Sequence, residues 1–122
     1  MIGVDLVEVA RLRRVLERHP AFAERHFTAG ERAAAGALPE ARRFEFLAGR
    51  FAAKEATLKA LGTGISGGVA LDEVETGSLP SGAPVLRLGG EALRAAEEAG
   101  VSRYQVSISH DGGFAVAFVV LS

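Results

Sequence analysis

The feature that most constrains the fold is a long helical repeat in the middle of the chain, from about Arg42 to Leu61. Its apolar side chains recur at steps of three and four residues, and they are Phe44, Leu47, Phe51, Leu58 and Leu61. That spacing predicts one apolar stripe along a single helix, which must be buried against other elements. Gly62 predicts the end of the helix, since glycine readily takes the left-handed conformation that is common there.

Segments on both sides of this helix predict strands and two further helices. Alternating apolar residues predict strands at 1–7, 69–75, 85–88, 104–109 and 114–121, and helical spacing predicts helices at 8–17 and 91–99. The Asp111-Gly112 pair indicates a hairpin between the last two strands. The final strand is apolar on both faces, so it should be central in its sheet or covered by a partner. We therefore predict a single α+β domain over 1–122, with a small mixed sheet packed against the long central helix.

Composition narrows the class of protein and its compartment. The chain of 122 residues has 14 Lys+Arg against 15 Asp+Glu, so its net charge of -1 gives no general attraction to nucleic acid or to an anionic membrane. It has no cysteine, which excludes disulfides, thiolate metal sites and cysteine nucleophiles. No apolar run is long enough to span a bilayer, and the first residues lack the pattern of a signal peptide. We therefore expect a cytoplasmic protein that binds neither nucleic acid nor membrane.

Two carboxylates and a lysine stand out as candidates for chemistry. Asp5 lies among the apolar residues of the first strand, where a carboxylate needs water, a partner or a cation. Glu55 lies at the edge of the apolar stripe of the long helix, with Lys59 one turn further on. Taken in isolation, that spacing is more typical of an ordinary surface ion pair. Lys54 falls inside the stripe, where a lysine requires a specific reason.

Two further segments hold groups suited to binding phosphate. The glycine-rich segment 62–68 allows several backbone N–H groups to converge on an oxyanion, although it lacks P-loop spacing and most such segments are flexible turns. His110 and Asp111 stand at the end of a strand, although such a pair is also common in hairpins. Together with Asp5 and Glu55, these groups provide oxygen ligands for a hard cation such as Mg²⁺ and donors for phosphate.

Three motifs in the chain resemble those of one enzyme family. They are IGVDLVEV at 2–9, GRFAAKEATLKALGTG at 49–64 and VSISH at 106–110. The central motif is long and specific, the order is the same, and the resemblance extends from Ile2 to the last strand. On these motifs the sequence is similar to the holo-[acyl-carrier-protein] synthases, which are short bacterial 4'-phosphopantetheinyl transferases and typically trimeric.

The resemblance implies an activity, a cofactor and a set of site residues. The family moves the phosphopantetheine arm of coenzyme A onto a serine of apo acyl carrier protein, for fatty acid biosynthesis. By resemblance Asp5 and Glu55 are ligands of Mg²⁺, and with Lys59 they are the catalytic residues. The residues implied in coenzyme A binding are Arg50, Lys59, Thr63, Gly64, Ser109 and His110. Asp111 is a weaker candidate for a third carboxylate near the metal.

The first helix carries a basic face that suits an acidic partner. Arg11, Arg14 and Arg18 recur at steps of three and four residues, so they share one side of the helix. Carrier proteins are acidic and would be steered toward such a face, although a plain solvated surface has the same pattern. The family further implies a homotrimer with active sites between neighbouring subunits. Two other functions stay open, namely a non-catalytic module that docks an acidic helical partner, and a different Mg²⁺-dependent phosphotransfer enzyme that uses a nucleotide.

Overall fold

The structure is a computed structural model that describes residues 1–63 and 67–122. The helices in these ranges are α1 (Val9–Arg18), α2 (Ala21–His26), α3 (Ala29–Gly36), α4 (Glu40–Leu61) and α5 (Gly90–Glu98). The strands are β1 (Ile2–Glu8), β2 (Val74–Ser78), β3 (Pro84–Leu88), β4 (Tyr104–Asp111) and β5 (Phe114–Leu121). None of the helices in the described ranges is both long enough and apolar enough to cross a membrane.

The long helix α4 is the centre of the fold, as the sequence predicts. It packs against β1 and β5, and it also contacts α3 and β2. Much of its buried surface consists of small residues, which are Ala48, Gly49, Ala52, Ala53, Ala56 and Ala60. Small side chains let the sheet approach the helix closely, and a Cβ added at Gly3 would overlap the Ala56 carbonyl oxygen. Gly62 ends the helix in the left-handed conformation, with a φ of 74°.

The described strands form two small sheets. β1, β5 and β4 form one sheet with β5 in the centre, and β2 pairs with β3 in the other. The α+β class and the central position of β5 are therefore confirmed, but each of these pairings is antiparallel instead of mixed. The connection from β4 to β5 shows the reason, because Gly112 and Gly113 both have positive φ and reverse the chain in two residues. So short a connection permits only an antiparallel pair.

The pairing register gives the three-stranded sheet two different faces. Gly3, Asp5 and Val7 point toward α4, together with buried alanines of β5. The opposite face, which we call the outer sheet face, carries large apolar side chains whose exposed fractions range from 40% to 62%. These side chains are Ile2, Val4, Leu6, Phe114 and Phe118. A contiguous exposed apolar surface of this kind marks an interaction site in most proteins.

The strand predicted at 69–75 begins later than the sequence indicates. Leu71–Glu73 forms a single 3₁₀ turn, and β2 starts only after it. The Glu73 carboxylate accepts hydrogen bonds from the backbone N–H groups of Ala70 (2.7 Å) and Glu91 (2.5 Å). The turn is therefore stabilised locally by side-chain capping, so its backbone does not need the ladder of a neighbouring strand.

Candidate active site

Asp5, Glu55 and Lys59 come together between β1 and α4, and we call them the carboxylate cluster. Lys59 Nζ lies 2.9 Å from Asp5 Oδ1 and 3.1 Å from the carbonyl oxygen of Val4. The Asp5 side chain is only 17% exposed, because it belongs to the helix-facing side of β1. Glu55 precedes Lys59 by one helical turn and is half-buried on the same face of α4. The three residues that the family resemblance implies as catalytic are thus neighbours.

The two carboxylates of the carboxylate cluster repel each other. Burial raises the pKa of Glu55, the negative charge of Asp5 raises it further, and Lys59 opposes the shift. A divalent cation near both oxygens would relieve this repulsion by supplying positive charge where it is strongest. Carboxylate oxygens are also the ligands that Mg²⁺ prefers, usually one or two of them together with water and phosphate oxygens. The residues present therefore fit a magnesium site with two protein ligands.

His110 lies away from the carboxylate cluster within one chain. Asp5 pairs with Ala117 and His110 pairs with Ala115, so β5 separates their two strands by about 10 Å in total. His110 Nε2 lies 2.9 Å from the carbonyl oxygen of Glu45, in the first half of α4. The imidazole is therefore held against the helix, but at the opposite edge of the sheet from Asp5.

Ser109 and Asp111 point to the other side of the sheet from His110. Side chains alternate along β4, so these two lie on the outer sheet face. Within one chain Asp111 therefore lies away from Asp5 and Glu55, and its role as a third carboxylate stays a prediction. Throughout 1–63 and 67–122, no three His, Cys, Asp or Glu side chains are grouped so as to hold a metal ion.

Arg50 is buried on a different side of α4. Its Nη2 donates a hydrogen bond to Ser78 Oγ (3.0 Å), and its guanidinium carbon lies 4.0 Å from the centre of the Phe46 ring. Burial lowers the pKa of Arg50, and the charge of Glu31 opposes that shift. Arg50 and Glu55 are separated by about 140° around the helix axis. The structure therefore does not bring Arg50 to the carboxylate cluster of its own chain.

The glycine-rich segment begins one turn after the carboxylate cluster. Thr63 follows Lys59 by four residues and is half-buried. A Cβ at Gly67 would lie only 2.7 Å from Thr63 Cβ, so Gly67 packs closely on Thr63. Gly64, also predicted to bind the ligand, lies outside the described residues.

The basic face of α1 has the predicted geometry. Arg11, Arg14 and Arg18 are exposed, and with His19 they line a depression of about 250 Å³. Beside it lies a groove of about 480 Å³ that the sequence did not reveal, because its walls come from several elements. We call it the apolar groove, and its apolar residues are Val7, Leu12, Val15, Phe22, Phe51 and Phe114. Arg11 and Glu8 also line it.

Two glycines shape the site, and sequence reasoning missed both of these roles. Gly3 brings β1 onto the backbone of α4, two residues before Asp5. Gly49 makes room for His110, because a Cβ at Gly49 would lie 2.9 Å from His110 Nε2. Both stand inside a regular strand or helix, where a glycine is a signal of close backbone approach. That signal was available within the two motifs that contain them.

Known proteins share both the sequence and the fold of this chain. Residues 1–119 match the family model described as the 4'-phosphopantetheinyl transferase superfamily. A holo-[acyl-carrier-protein] synthase of Desulfovibrio desulfuricans is 48% identical over 98% of this chain and 94% of its own length. Another, of Methylobacterium radiotolerans, is 51% identical over 98% and 90%. The crystal structure of Helicobacter pylori holo-[acyl-carrier-protein] synthase in complex with coenzyme A aligns over 100% of both chains, with a TM-score of 0.86 and 33% identity. The chain therefore belongs to the 4'-phosphopantetheinyl transferase superfamily.

Proposed function

We propose that this protein is a holo-[acyl-carrier-protein] synthase. It transfers 4'-phosphopantetheine from coenzyme A to a serine of apo acyl carrier protein and releases adenosine 3',5'-bisphosphate. The observation that carries this proposal is the carboxylate cluster, which places two carboxylates and an amine beside a glycine-rich segment. The names of the relatives and the coenzyme A bound to the Helicobacter pylori enzyme support this substrate over a nucleotide.

The reaction joins the serine oxygen to the β-phosphorus of coenzyme A. The new Oγ–P bond forms while the bond to the bridging oxygen of the pyrophosphate breaks, and the bisphosphate leaves with that electron pair. The serine proton passes to Glu55 or to a water beside it, which acts as the general base. The Lys59 side chain is 55% exposed, so its ammonium can move from Asp5 to a phosphate oxygen and offset the charge there.

We propose Mg²⁺ as the cofactor, with Asp5 and Glu55 as its protein ligands. The proposal is supported by the repulsion between these carboxylates and by their oxygen chemistry. When bound, the ion supplies positive charge that offsets the pyrophosphate and orients it for displacement.

Mass spectrometry of apo acyl carrier protein tests the proposed function. Incubation with this protein, coenzyme A and Mg²⁺ should add the mass of one phosphopantetheine group, and chelation of Mg²⁺ should prevent the addition. A non-catalytic docking module would leave the carrier mass unchanged under all conditions. A nucleotide phosphotransferase would modify its acceptor with ATP and not with coenzyme A.

We propose a homotrimer in which neighbouring subunits complete each other's active sites. The outer sheet face supports this, because Ile2 and Leu6 are each 62% exposed on an isolated chain. One chain also carries the carboxylate cluster at one edge of the sheet and His110 at the other. In the proposed trimer His110 and Ser109 of one subunit bind the coenzyme A that lies on the carboxylate cluster of its neighbour.

Subunit complementation should distinguish a shared active site from a self-contained one. Glu55→Gln and His110→Ala should each be nearly inactive alone, because one lacks the carboxylate and the other the phosphate contact. After the two variants are unfolded together and refolded as a mixture, about a quarter of the sites should combine two intact halves and recover activity. Transfer rates measured before and after mixing provide the test. Recovery of no activity in mixed trimers would contradict shared sites.

We also propose that the carrier protein docks on the basic face of α1 and the neighbouring apolar groove. Opposite charges attract the acidic carrier to Arg11, Arg14 and Arg18. The apolar groove offers about 480 Å³ for an apolar side chain of the carrier at the centre of the contact. Arg11 belongs to both surfaces, so they form one continuous docking site.

Charge reversal on α1 should weaken recognition of the carrier and spare coenzyme A. Replacing Arg11 and Arg18 with Glu should raise the Michaelis constant for the carrier roughly tenfold at low salt, because like charges then oppose the encounter. The effect should shrink near physiological ionic strength, where the Debye length is about 8 Å. Steady-state kinetics with each substrate varied in turn measures both constants. Arg103→Glu, an exposed arginine before β4, is the control. A raised Michaelis constant for coenzyme A alone would mean that the basic face binds the other substrate.

We place this activity in the cytoplasm, where it supplies holo carrier protein for fatty acid biosynthesis. The carrier named in the relatives' descriptions supports this role. Depletion of the protein in cells should therefore lower the ratio of holo to apo carrier, which intact-protein mass spectrometry reports directly.

A further inference from the structure

Lys54 is a fully buried lysine directly before Glu55, and the proposed reaction does not use it. Its side chain has 0% exposure, and Nζ lies 2.7 Å from Glu31 Oε1. Nζ also donates to the carbonyl oxygens of Leu71 (3.0 Å) and Val74 (2.6 Å). All three N–H donors of the ammonium therefore have protein oxygen acceptors, and all three acceptors lie outside α4.

Glu31 extends this contact to two further elements. It is fully buried, and beside Lys54 it accepts hydrogen bonds from the backbone N–H groups of Thr28 (2.9 Å) and Thr76 (3.0 Å). The first of these bonds caps α3, and the second lies in β2. We call the two side chains the Lys54–Glu31 clasp, since they join α4 to α3, to β2 and to the turn before β2.

Where α4 meets β1 at Gly3 its buried residues are small, and this contact by itself does little to fix the rotation of the helix about its axis. The buried side chains on the helix that are near β1 and β5 are mostly alanines, and alanine cannot interlock with a neighbour as larger side chains do. Hydrogen bonds have a defined direction, so a set of them can fix the rotation of a helix that packs through alanines. The Lys54–Glu31 clasp is the buried polar contact next to Glu55 along the helix.

Rotation of α4 decides where the carboxylate cluster forms. Successive residues are about 100° apart around a helix, so fixing Lys54 toward β2 fixes the direction of Glu55. Lys59 follows Glu55 by one turn and moves with it. Asp5 lies on β1, so any rotation of α4 about its axis changes the distances from Asp5 to Glu55 and Lys59.

We propose that Lys54, held by Glu31, is a positioning residue that sets the rotation of α4 and thereby aligns Glu55 and Lys59 with Asp5. The inference rests on the proposed function for its kinetic readout, but the geometry of the cluster can be measured independently of it. A purely structural buried ion pair makes a different prediction. Replacing such a pair by neutral side chains of similar size often leaves stability unchanged or improved.

The decisive variant is Lys54→Met/Glu31→Gln, which removes both charges and keeps side chains of similar length. Thr57→Ala is the matched control, because Thr57 is equally buried on α4 and, among the residues that the structure describes, its hydroxyl bonds within the helix to the Ala53 carbonyl oxygen (2.7 Å). Loss of that bond lowers stability without releasing α4 from its neighbours. Glu31→Gln alone is the second variant, which retains the two carbonyl acceptors of Lys54 but leaves the buried ammonium without a charged partner, at a cost in stability.

Three measurements separate positioning from stability. Urea unfolding gives the stability of each variant, and calorimetry gives the affinity of the carboxylate cluster for Mg²⁺. Steady-state kinetics separates kcat from the two Michaelis constants. We expect the double variant to lose about 100-fold in kcat, as a displacement near 1 Å does, with an unchanged Michaelis constant for the carrier. Its Mg²⁺ affinity should fall as well, and its crystal structure should show Lys59 Nζ withdrawn from Asp5 Oδ1. Thr57→Ala should keep the wild-type kcat and Mg²⁺ affinity.

The proposal is overturned if the double variant retains the kcat, the Mg²⁺ affinity and the Lys59–Asp5 contact of the wild type. If the double variant does not fold, Glu31→Gln decides, and a kcat equal to that of Thr57→Ala overturns the proposal. Failure of the proposed function looks different. In that case the wild-type protein transfers no phosphopantetheine, while the crystal structures still show whether the clasp aligns Asp5 and Lys59.

Discussion

Replacing Asp5 by Asn or Glu55 by Gln should remove phosphopantetheine transfer while the fold stays intact. Each amide is nearly the size of the carboxylate but carries no charge, so it is a poor ligand for Mg²⁺. Loss of several kcal/mol of charge stabilisation corresponds to a decrease in rate of about 1000-fold or more. Removing one carboxylate relieves the repulsion within the cluster, which offsets the loss of the partly exposed Asp5–Lys59 ion pair, so stability should change little.

Calorimetric titration with Mg²⁺ and mass spectrometry of the carrier measure the two halves of this prediction. Glu97→Gln, which changes an exposed carboxylate on α5, controls for the loss of one negative charge. Both cluster variants should show weakened Mg²⁺ binding and a normal unfolding transition. Wild-type affinity for Mg²⁺ in both variants would sink the assignment of these residues as ligands.

Gly3→Ala should damage both stability and activity more than any other single methyl group at the site. The added Cβ would overlap the Ala56 carbonyl oxygen and lie 2.8 Å from the Ala60 nitrogen, and neither backbone atom can move independently of α4. Overpacking of this kind costs about 1–3 kcal/mol. The strand must move away from the helix to relieve it, and Asp5 moves with the strand. A displacement near 1 Å lowers the rate by about 100-fold.

Urea unfolding and transfer kinetics test this prediction together. Gly36→Ala is the matched control, because a Cβ there has nothing within 4 Å and the substitution adds the same methyl group. The control should be active and at least as stable as the wild type, since alanine favours a helix over glycine. Wild-type activity in Gly3→Ala would show that Asp5 tolerates movement of β1, which contradicts the proposed role of the close approach.

Elements with a strong local pattern were predictable from the sequence. The α4 repeat, its glycine stop and the final hairpin all follow from local rules that hold in the structure. The prediction that a strand begins at residue 69 was wrong for a physical reason. The apolar residues of 69–75 suit a strand, but Glu73 caps the preceding backbone and the start of α5, which no local pattern indicates.

The carboxylate cluster was predictable only in part. Residue type and family motifs identified Asp5, Glu55 and Lys59, and the structure brings Lys59 to Asp5 across 54 positions in sequence. The family resemblance implied Ser109 and His110 as coenzyme A contacts and Asp111 as a weaker candidate for a third carboxylate near the metal. Adjacent residues of a strand point to opposite faces, so only the register could divide them.

The family, the chemical groups of the site and the order of the longer elements follow from residue type and spacing along the chain, whereas the short helices α2 and α3 were not predicted. Tertiary packing determined which side of each element is buried and which is exposed. Alternation along β1 defines two faces without saying which is buried, and packing at Gly3 placed Asp5 inside and Ile2, Val4 and Leu6 outside. It likewise turned Lys54 from an anomaly in an apolar stripe into the partner of Glu31. Both outcomes depend on contacts between residues distant in sequence, and local propensity carries no information about those contacts.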